Sequence, residues 1–358
     1  MPNAFLRSFN DNDASLTRKI ITIGSLLVAA NVAAWAWALL AFHDHPLLLG
    51  TAVLAYSFGL RHAVDADHIA AIDNVTRKLM QEGKRPLTTG LFFSLGHSTV
   101  VILATIGVVL TAAAFKDELE SFHTIGSMIG TSVAAVFLLI IAAINVVILL
   151  NVYRAFRRVK QDGTFVPEDL DLMVAKGGLL ARMFHRLFRM IRQSWHMYPL
   201  GFLFGLGFDT ATEIGLLGIA ATEATSGLPI WSILVFPALF TAGMTLVDTA
   251  NSVLMTGAYG WAFENPIRKL YYNLTITFIS VVVAVVVGGA LALGLIAEKL
   301  HLEGGFWNAV ENINEIGILG FVILGIFIVS WLASTLLYRI KGYDRLAATP
   351  IPHAEPAE

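Results

Sequence analysis

Eight unbroken apolar runs dominate this sequence, near residues 20–42, 48–74, 88–114, 125–150, 198–221, 229–258, 273–297 and 315–338. A bilayer hydrocarbon core about 30 Å thick is crossed by about 20 apolar residues of helix, so each run is long enough to span it. The runs are continuous, without the alternation of a lipid-facing strand, which disfavours a closed barrel. The expected fold class is therefore an all-α integral membrane protein of about eight transmembrane helices, a single polytopic domain over residues 1–358 with the lipid bilayer as its main partner. Composition agrees, since 56% of residues are hydrophobic, 14% are charged and the mean hydropathy is +0.70. The first run is too long for a signal-peptide core and is followed by no A-x-A cleavage site, so it reads as a retained helix.

Charge placement orients the bundle. With the N-terminus inside, the inner segments hold 21 of the 24 Lys and Arg residues, the outer loops hold only Lys116 and Lys299, and Arg61 falls within the second run. Positive residues stay on the cytoplasmic side, so both termini are expected in the cytoplasm and the location is the cytoplasmic (inner) membrane. The longest inner segment, 151–197, reads as a basic cytoplasmic loop, and 346–358 as a disordered tail. The net charge of −2 points to no nucleic-acid partner.

Ionisable residues inside hydrocarbon cost about 2.5–3.5 kcal/mol each at a helix centre, so each calls for a reason. The second run carries a dense set, Arg61-His62-Ala63-Val64-Asp65-Ala66-Asp67-His68. At 100° per residue, His62, Asp65 and His68 fall within about 120° of one another, with Asp67 toward the flank. One helix thus presents two imidazoles and at least one carboxylate to a single cavity. With no cysteine in the chain, a metal here is held by nitrogen and oxygen alone, a ligand set suited to nickel, cobalt or zinc. The metal candidates are His62, Asp65, Asp67 and His68. Arg61 stands four residues before Asp65, placed to pair with it.

Three other runs add supporting polar groups, each preceded by glycine: His97 and Ser98 in the third; Asp209, Thr210 and Glu213 in the fifth; Asp248, Thr249 and Asn251 in the sixth. A weak internal repeat relates these runs. Phe58-Gly59-Leu60 matches Phe204-Gly205-Leu206, and Phe93 to Val100 matches Phe240 to Val247. The second and fifth runs cross in opposite directions, so runs 2–3 and 5–6 would form an inverted repeat, which in transporters places the site near the midplane. His43-Asp44-His45 reads as a collector of metal on the outer side, or as solvated loop residues like His185 and His196.

At these residues the chain resembles the nickel/cobalt transporter (NiCoT) family of high-affinity permeases. The H-x4-D-H pattern stands as His62, Asp67 and His68 within Arg61 to Asn74, and further blocks run over Phe93 to Val101, Leu206 to Ile214 and Gly243 to Thr249, continuing to Ala258-Tyr259-Gly260-Trp261. The resemblance implies uptake of Ni2+, and often Co2+, as transported substrate with no resident cofactor. It departs from the family at Asn251, where an aspartate is usual. From the residues alone, a proton-conducting channel or pump, or a metal exporter, stays open. No Walker A sequence is present, so the chain is expected not to hydrolyse ATP, and no H-E-x-x-H motif points to a metalloenzyme.

Overall fold

A computed structural model describes residues 9–12, 16–111, 116–162, 164–165, 191–206, 211–262, 266–315, 319–340 and 349–350. Apart from a two-residue parallel pairing of Thr164–Phe165 with Thr349–Pro350, the regular structure is helical. The helices are α1 (Leu16–Phe42), α2 (Pro46–His62), α3 (Ala66–Gln81), α4 (Thr89–Thr111), α5 (Lys116–Asp162), α6 (Met197–Gly205), α7 (Ala211–Thr225), α8 (Ile230–Ile233), α9 (Val235–Ala262), α10 (Pro266–Leu300), α11 (Gly305–Glu315) and α12 (Leu319–Ile340).

Among the described residues five helices are long and apolar enough to cross a membrane, or six when the bent pair α2 and α3 counts as one span. The expectation of about eight differs from this at two runs. Residues 198–221 divide between α6 and α7, and the eighth run, which coincides with α12, is not among those six. The fourth run also continues further than expected, because α5 runs to Asp162, into the segment read as a loop.

The outer helices are apolar toward lipid and small or polar toward the bundle. α1 exposes Ile21, Val28, Val32, Leu39 and Leu40 and buries Lys19, Ile23, Leu27, Ala34, Ala38 and Phe42. The centre is the opposite of a soluble core. α3 buries every residue from His68 to Met80, including Asp73, Asn74, Arg77 and Lys78. A helix this polar is kept out of hydrocarbon only by surrounding it with others, and α3 contacts α4, α5, α9, α10 and α12. Arg77 and Lys78, expected in an inner loop, are therefore corrected to buried helix positions.

Glycines set how closely the helices approach. A Cβ on Gly59 of α2 would lie 2.1 Å from the Phe240 carbonyl oxygen of α9, and one on Gly96 of α4 would lie 1.9 Å from the Tyr198 carbonyl oxygen of α6. Backbones at such distances exclude every side chain but hydrogen. The two crossings pair the elements that the internal repeat relates, α2 with α9 and α6 with α4, but one turn apart in register: Gly243 meets Tyr56 and Leu60, whereas Gly96 meets Tyr198 and Phe202.

At the basic end, Asp11 fastens the N-terminal segment to the segment before α6. Its carboxylate accepts from the Ser194 backbone N–H at 2.6 Å and the Ser194 hydroxyl at 2.7 Å, and its carbonyl accepts from Arg85 N–H at 2.7 Å. Lys78 donates to the Ile191 carbonyl and Lys84 to the Arg192 carbonyl at 2.7 Å. His196, expected to be solvated, has its ring Nδ1 accepting from the Arg192 and Gln193 backbone N–H groups at 2.9 and 3.2 Å.

Candidate metal site

The second run is not one helix. α2 ends at His62 in a tight turn, Ala63 to Asp65 break the helix, and α3 restarts with Asp65 as its extended N-cap, bent by 51° from α2. The carboxylate of Asp65 does not cap α3 but pairs with Arg61. This break decides the site. On a continuous helix His62 and His68 would be separated by about 9 Å of axial rise. Across the break their ring centroids lie 4.6 Å apart.

His97, from the middle of α4, completes a triangle of imidazoles, with ring centroids 4.7 Å from His62 and 4.9 Å from His68. One ligand nitrogen from each lies within 4.8 Å of the others, and all three residues are buried. Phe93 and Phe240 wall the cluster, their ring centroids 4.8 Å from His68 and 5.5 Å from His62. The Gly96 and Gly205 contacts set the depth of His97, because α6 backbone lies directly against that turn of α4.

Carboxylates fix the rings. His97 Nε2 lies 2.8 Å from Glu213 Oε1 and 2.9 Å from His62 Nε2, so a proton on His97 Nε2 serves both contacts. Glu213 stands in the first turn of α7 and is itself buried. His62 Nδ1 is 3.3 Å from the Thr212 hydroxyl and 2.9 Å from Asp65 Oδ2, the latter a close charge contact not aligned as a hydrogen bond. His68 Nδ1 is 3.3 Å from Asp248 Oδ2, which also accepts from the Ser94 hydroxyl at 2.6 Å. That leaves His68 Nε2 buried with no hydrogen-bond partner. A ring held at one nitrogen by a carboxylate with its other nitrogen bare is the usual arrangement of a metal-ligating histidine.

The expected residues divide accordingly. His62 and His68 come together with His97, which the sequence reading placed only in support. Asp65 lies beside His62, and Asp67 is half-buried on the first turn of α3, near enough to act electrostatically on His62 and His68. Arg61 holds Asp65, and with side chains 37% and 16% exposed the pair opens one flank of the site. Glu213 and Asp248 reach the rings directly. The hydroxyls of Ser98 and Thr249 and both amide atoms of Asn251 are buried without partners. Asp209 and Thr210 lie outside the described residues. Sequence reasoning missed Thr212 and Ser94. Both stand inside quoted motif blocks, yet nothing in periodicity within a helix shows which neighbour a hydroxyl on another helix will meet.

The NicO family, described as high-affinity nickel-transport protein, matches residues 48–337. The chain belongs to this family. It is 62% identical over 327 residues to the high-affinity nickel transport protein of Cupriavidus necator, covering 91% of this chain and 93% of that one. It is 41% identical over 309 residues to the high-affinity nickel-transport protein NixA of Helicobacter pylori, covering 85% and 92%. The cobalt transport protein NhlF of Rhodococcus rhodochrous is 41% identical over 301 residues, covering 82% and 84%. No solved structure matches the chain. As a member of the NicO family the chain is a multi-pass membrane transporter, and the imidazole triangle falls inside the matched region.

Proposed function

We propose that this protein carries Ni2+, and Co2+ in competition with it, into the cell across the cytoplasmic membrane, and that His62, His68 and His97 bind the ion in transit. The observation that carries this reading is the buried meeting of three imidazoles from α2, α3 and α4 within 4.8 Å of one another. Imidazole nitrogen suits late first-row divalent metals, whereas magnesium and calcium take oxygen ligands. Asp65, Asp67, Glu213 and Asp248 supply negative charge that compensates the solvation a dication loses with its water, and Asp248 and Glu213 orient the rings that face it.

The same geometry supports a reading of transport. The ligands come from a broken helix at a glycine-packed crossing, the arrangement in which irregular backbone lines an ion site inside a bilayer. Inward movement of a dication gains about 4.6 kcal/mol per 100 mV of membrane potential, enough to accumulate the ion without ATP. The basic end, where Lys19, Lys78, Lys84, Arg85 and Arg192 gather, is assigned to the cytoplasm with both termini. Reporter fusions at the C-terminus report cytoplasm on this assignment, and a periplasmic report overturns it.

The test is metal-resolved uptake into cells expressing the protein, using radioactive nickel at low concentration with cobalt as competitor. Uptake abolished in the His68→Ala protein at equal membrane abundance supports the reading. Wild-type uptake by that variant removes the triad from the pathway. A current carried without any metal shows a proton conductor instead, and loss of preloaded nickel from the cells shows an exporter.

A further inference from the structure

Beyond the triad, α3 runs on toward the basic end and carries a second buried polar network. Asp73, about 7.5 Å further along the axis than His68, accepts from the Tyr259 hydroxyl of α9 and from the Ser280 hydroxyl of α10 at 2.8 Å. One turn on, Arg77 donates to Thr277 Oγ1 of α10 and to Asn74 Oδ1, both at 3.0 Å. Asn145 of α5 donates to the same Asn74 oxygen at 2.6 Å. A carboxylate and a guanidinium thus tie α3 to α9 and α10, an amide pair adds α5, and all of these residues are buried. None of this is used in holding the triad.

Between the triad and this network, α9 presents a polar face. Asp248, Thr249, Ser252, Thr256 and Tyr259 fall within an arc of about 100°, and all five are buried. Asp248 Oδ1 and the hydroxyls of Thr249 and Thr256 have no hydrogen-bond partner. Buried polar atoms without partners carry a free-energy cost, and a cation moving along this face with part of its water would supply the missing contacts.

We propose that the polar face of α9 leads the ion from the triad to Asp73, and that the Asp73–Arg77–Tyr259–Ser280 clasp closes the path at the basic end. The inference rests on the transport reading and on the triad as the main ion site. In the closed state Asp73 is occupied by two hydroxyl donors, and the fixed charge of Arg77 repels a dication. Release requires α9 and α10 to draw their hydroxyls away, so that the ion replaces Tyr259 and Ser280 at the carboxylate. Tyr259, Ser280 and Arg77 are positioning residues for release and touch no triad atom among the hydrogen bonds described.

The chain has no cysteine, so a single introduced thiol reports on this path. Thr256→Cys replaces a buried hydroxyl that has no hydrogen-bond partner. With the protein in sealed vesicles, the rate at which a membrane-impermeant maleimide modifies this thiol from the basic face is measured with and without nickel. Nickel binding is followed in parallel by equilibrium dialysis. The expected result is slow modification without metal, severalfold faster modification with nickel, and a metal-free rate raised to the nickel level by Tyr259→Phe. Ser280→Ala is the second variant, expected to act in the same direction should Tyr259→Phe not reach the membrane. Nickel binding retained with labelling unaffected by nickel or by both variants overturns the clasp and leaves the triad standing. Nickel binding that survives His68→Ala in the Thr256→Cys protein overturns the triad reading itself.

Discussion

The Nε2 atoms of His62 and His97 lie 2.9 Å apart although the residues belong to different helices and are separated by a helix break and a loop. Two ring nitrogens at that distance share one proton, and a metal ion that replaces the proton draws on both lone pairs. His62→Ala, His68→Ala and His97→Ala each delete one donor that a dication stripped of water does not readily forgo. Nickel uptake is expected to fall to near background in all three. The His43→Ala protein, altered at an exposed residue that contacts its neighbour Asp44 and the Leu40 carbonyl, is expected to keep uptake. Background uptake in His43→Ala, or full uptake in His97→Ala, contradicts the assignment.

Asp248 acts through His68. Asp248→Asn removes the charge beside His68 Nδ1 while keeping the shape and one oxygen able to accept from His68 and Ser94. Outer carboxylates of this kind typically contribute 10–100-fold in metal affinity. A weakening of roughly that size in nickel binding is expected, with the folded protein retained, as measured by equilibrium dialysis and size-exclusion chromatography. Unchanged affinity would show that His68 needs no carboxylate to hold its orientation.

Both amide atoms of Asn251 are buried without partners three residues beyond Asp248. Asn251→Asp adds a charge and a stronger oxygen donor on the side of the site facing α9. The ratio of cobalt to nickel uptake, or the affinity for one of them, is expected to change while transport continues. Superimposable competition curves for both metals in the two proteins exclude position 251 from selectivity.

The glycine crossings predict stability rather than affinity. Gly59→Ala and Gly96→Ala place a methyl 2.1 and 1.9 Å from a facing carbonyl oxygen, so the helices must part. Overpacking of this kind costs on the order of 1–3 kcal/mol, and the backbone neighbour cannot rotate away. Gly24→Ala, with nothing near its Cβ, is expected to be neutral or stabilising by up to about 1 kcal/mol from helix propensity. Thermal denaturation in detergent, scored by loss of the monodisperse peak, ranks the three proteins.

His196 gives a pH dependence. Burial, followed by the positive charges of Lys78, Lys84 and Arg192, holds its imidazole below the ordinary histidine range. A base whose folded value is depressed contributes stability above its unfolded value of about 6.5, and that contribution is lost as pH falls through the folded value. Protonation also removes the lone pair that accepts from the Arg192 and Gln193 N–H groups. Proteolysis between Ile191 and Met197 is therefore expected to accelerate as pH falls below about 6.5, and His196→Gln is expected to flatten that rise. An equal acceleration in His196→Gln assigns the effect to another group.

The sequence by itself determined the all-helical membrane class and marked the polar cluster from which the candidate site is drawn. Hydrocarbon admits few structures, and uncompensated charge inside it is costly, so a cluster such as Arg61 to His68 marks itself. Glycines such as Gly96 and Gly243 permit close helix approach without fixing it, since both meet facing backbone here whereas Gly24 and Gly107 meet nothing. Only the tertiary structure decided that the second run breaks at residues 63–65, that His97 joins His62 and His68, and that Glu213 and Asp248 are the carboxylates on the rings. Periodicity relates residues on one helix, whereas contacts between helices depend on the depth and rotation that packing imposes. For the same reason Arg77 and Lys78, which charge counting assigns to a loop, lie buried: the surrounding helices shelter α3 beyond the point where its own apolar character ends.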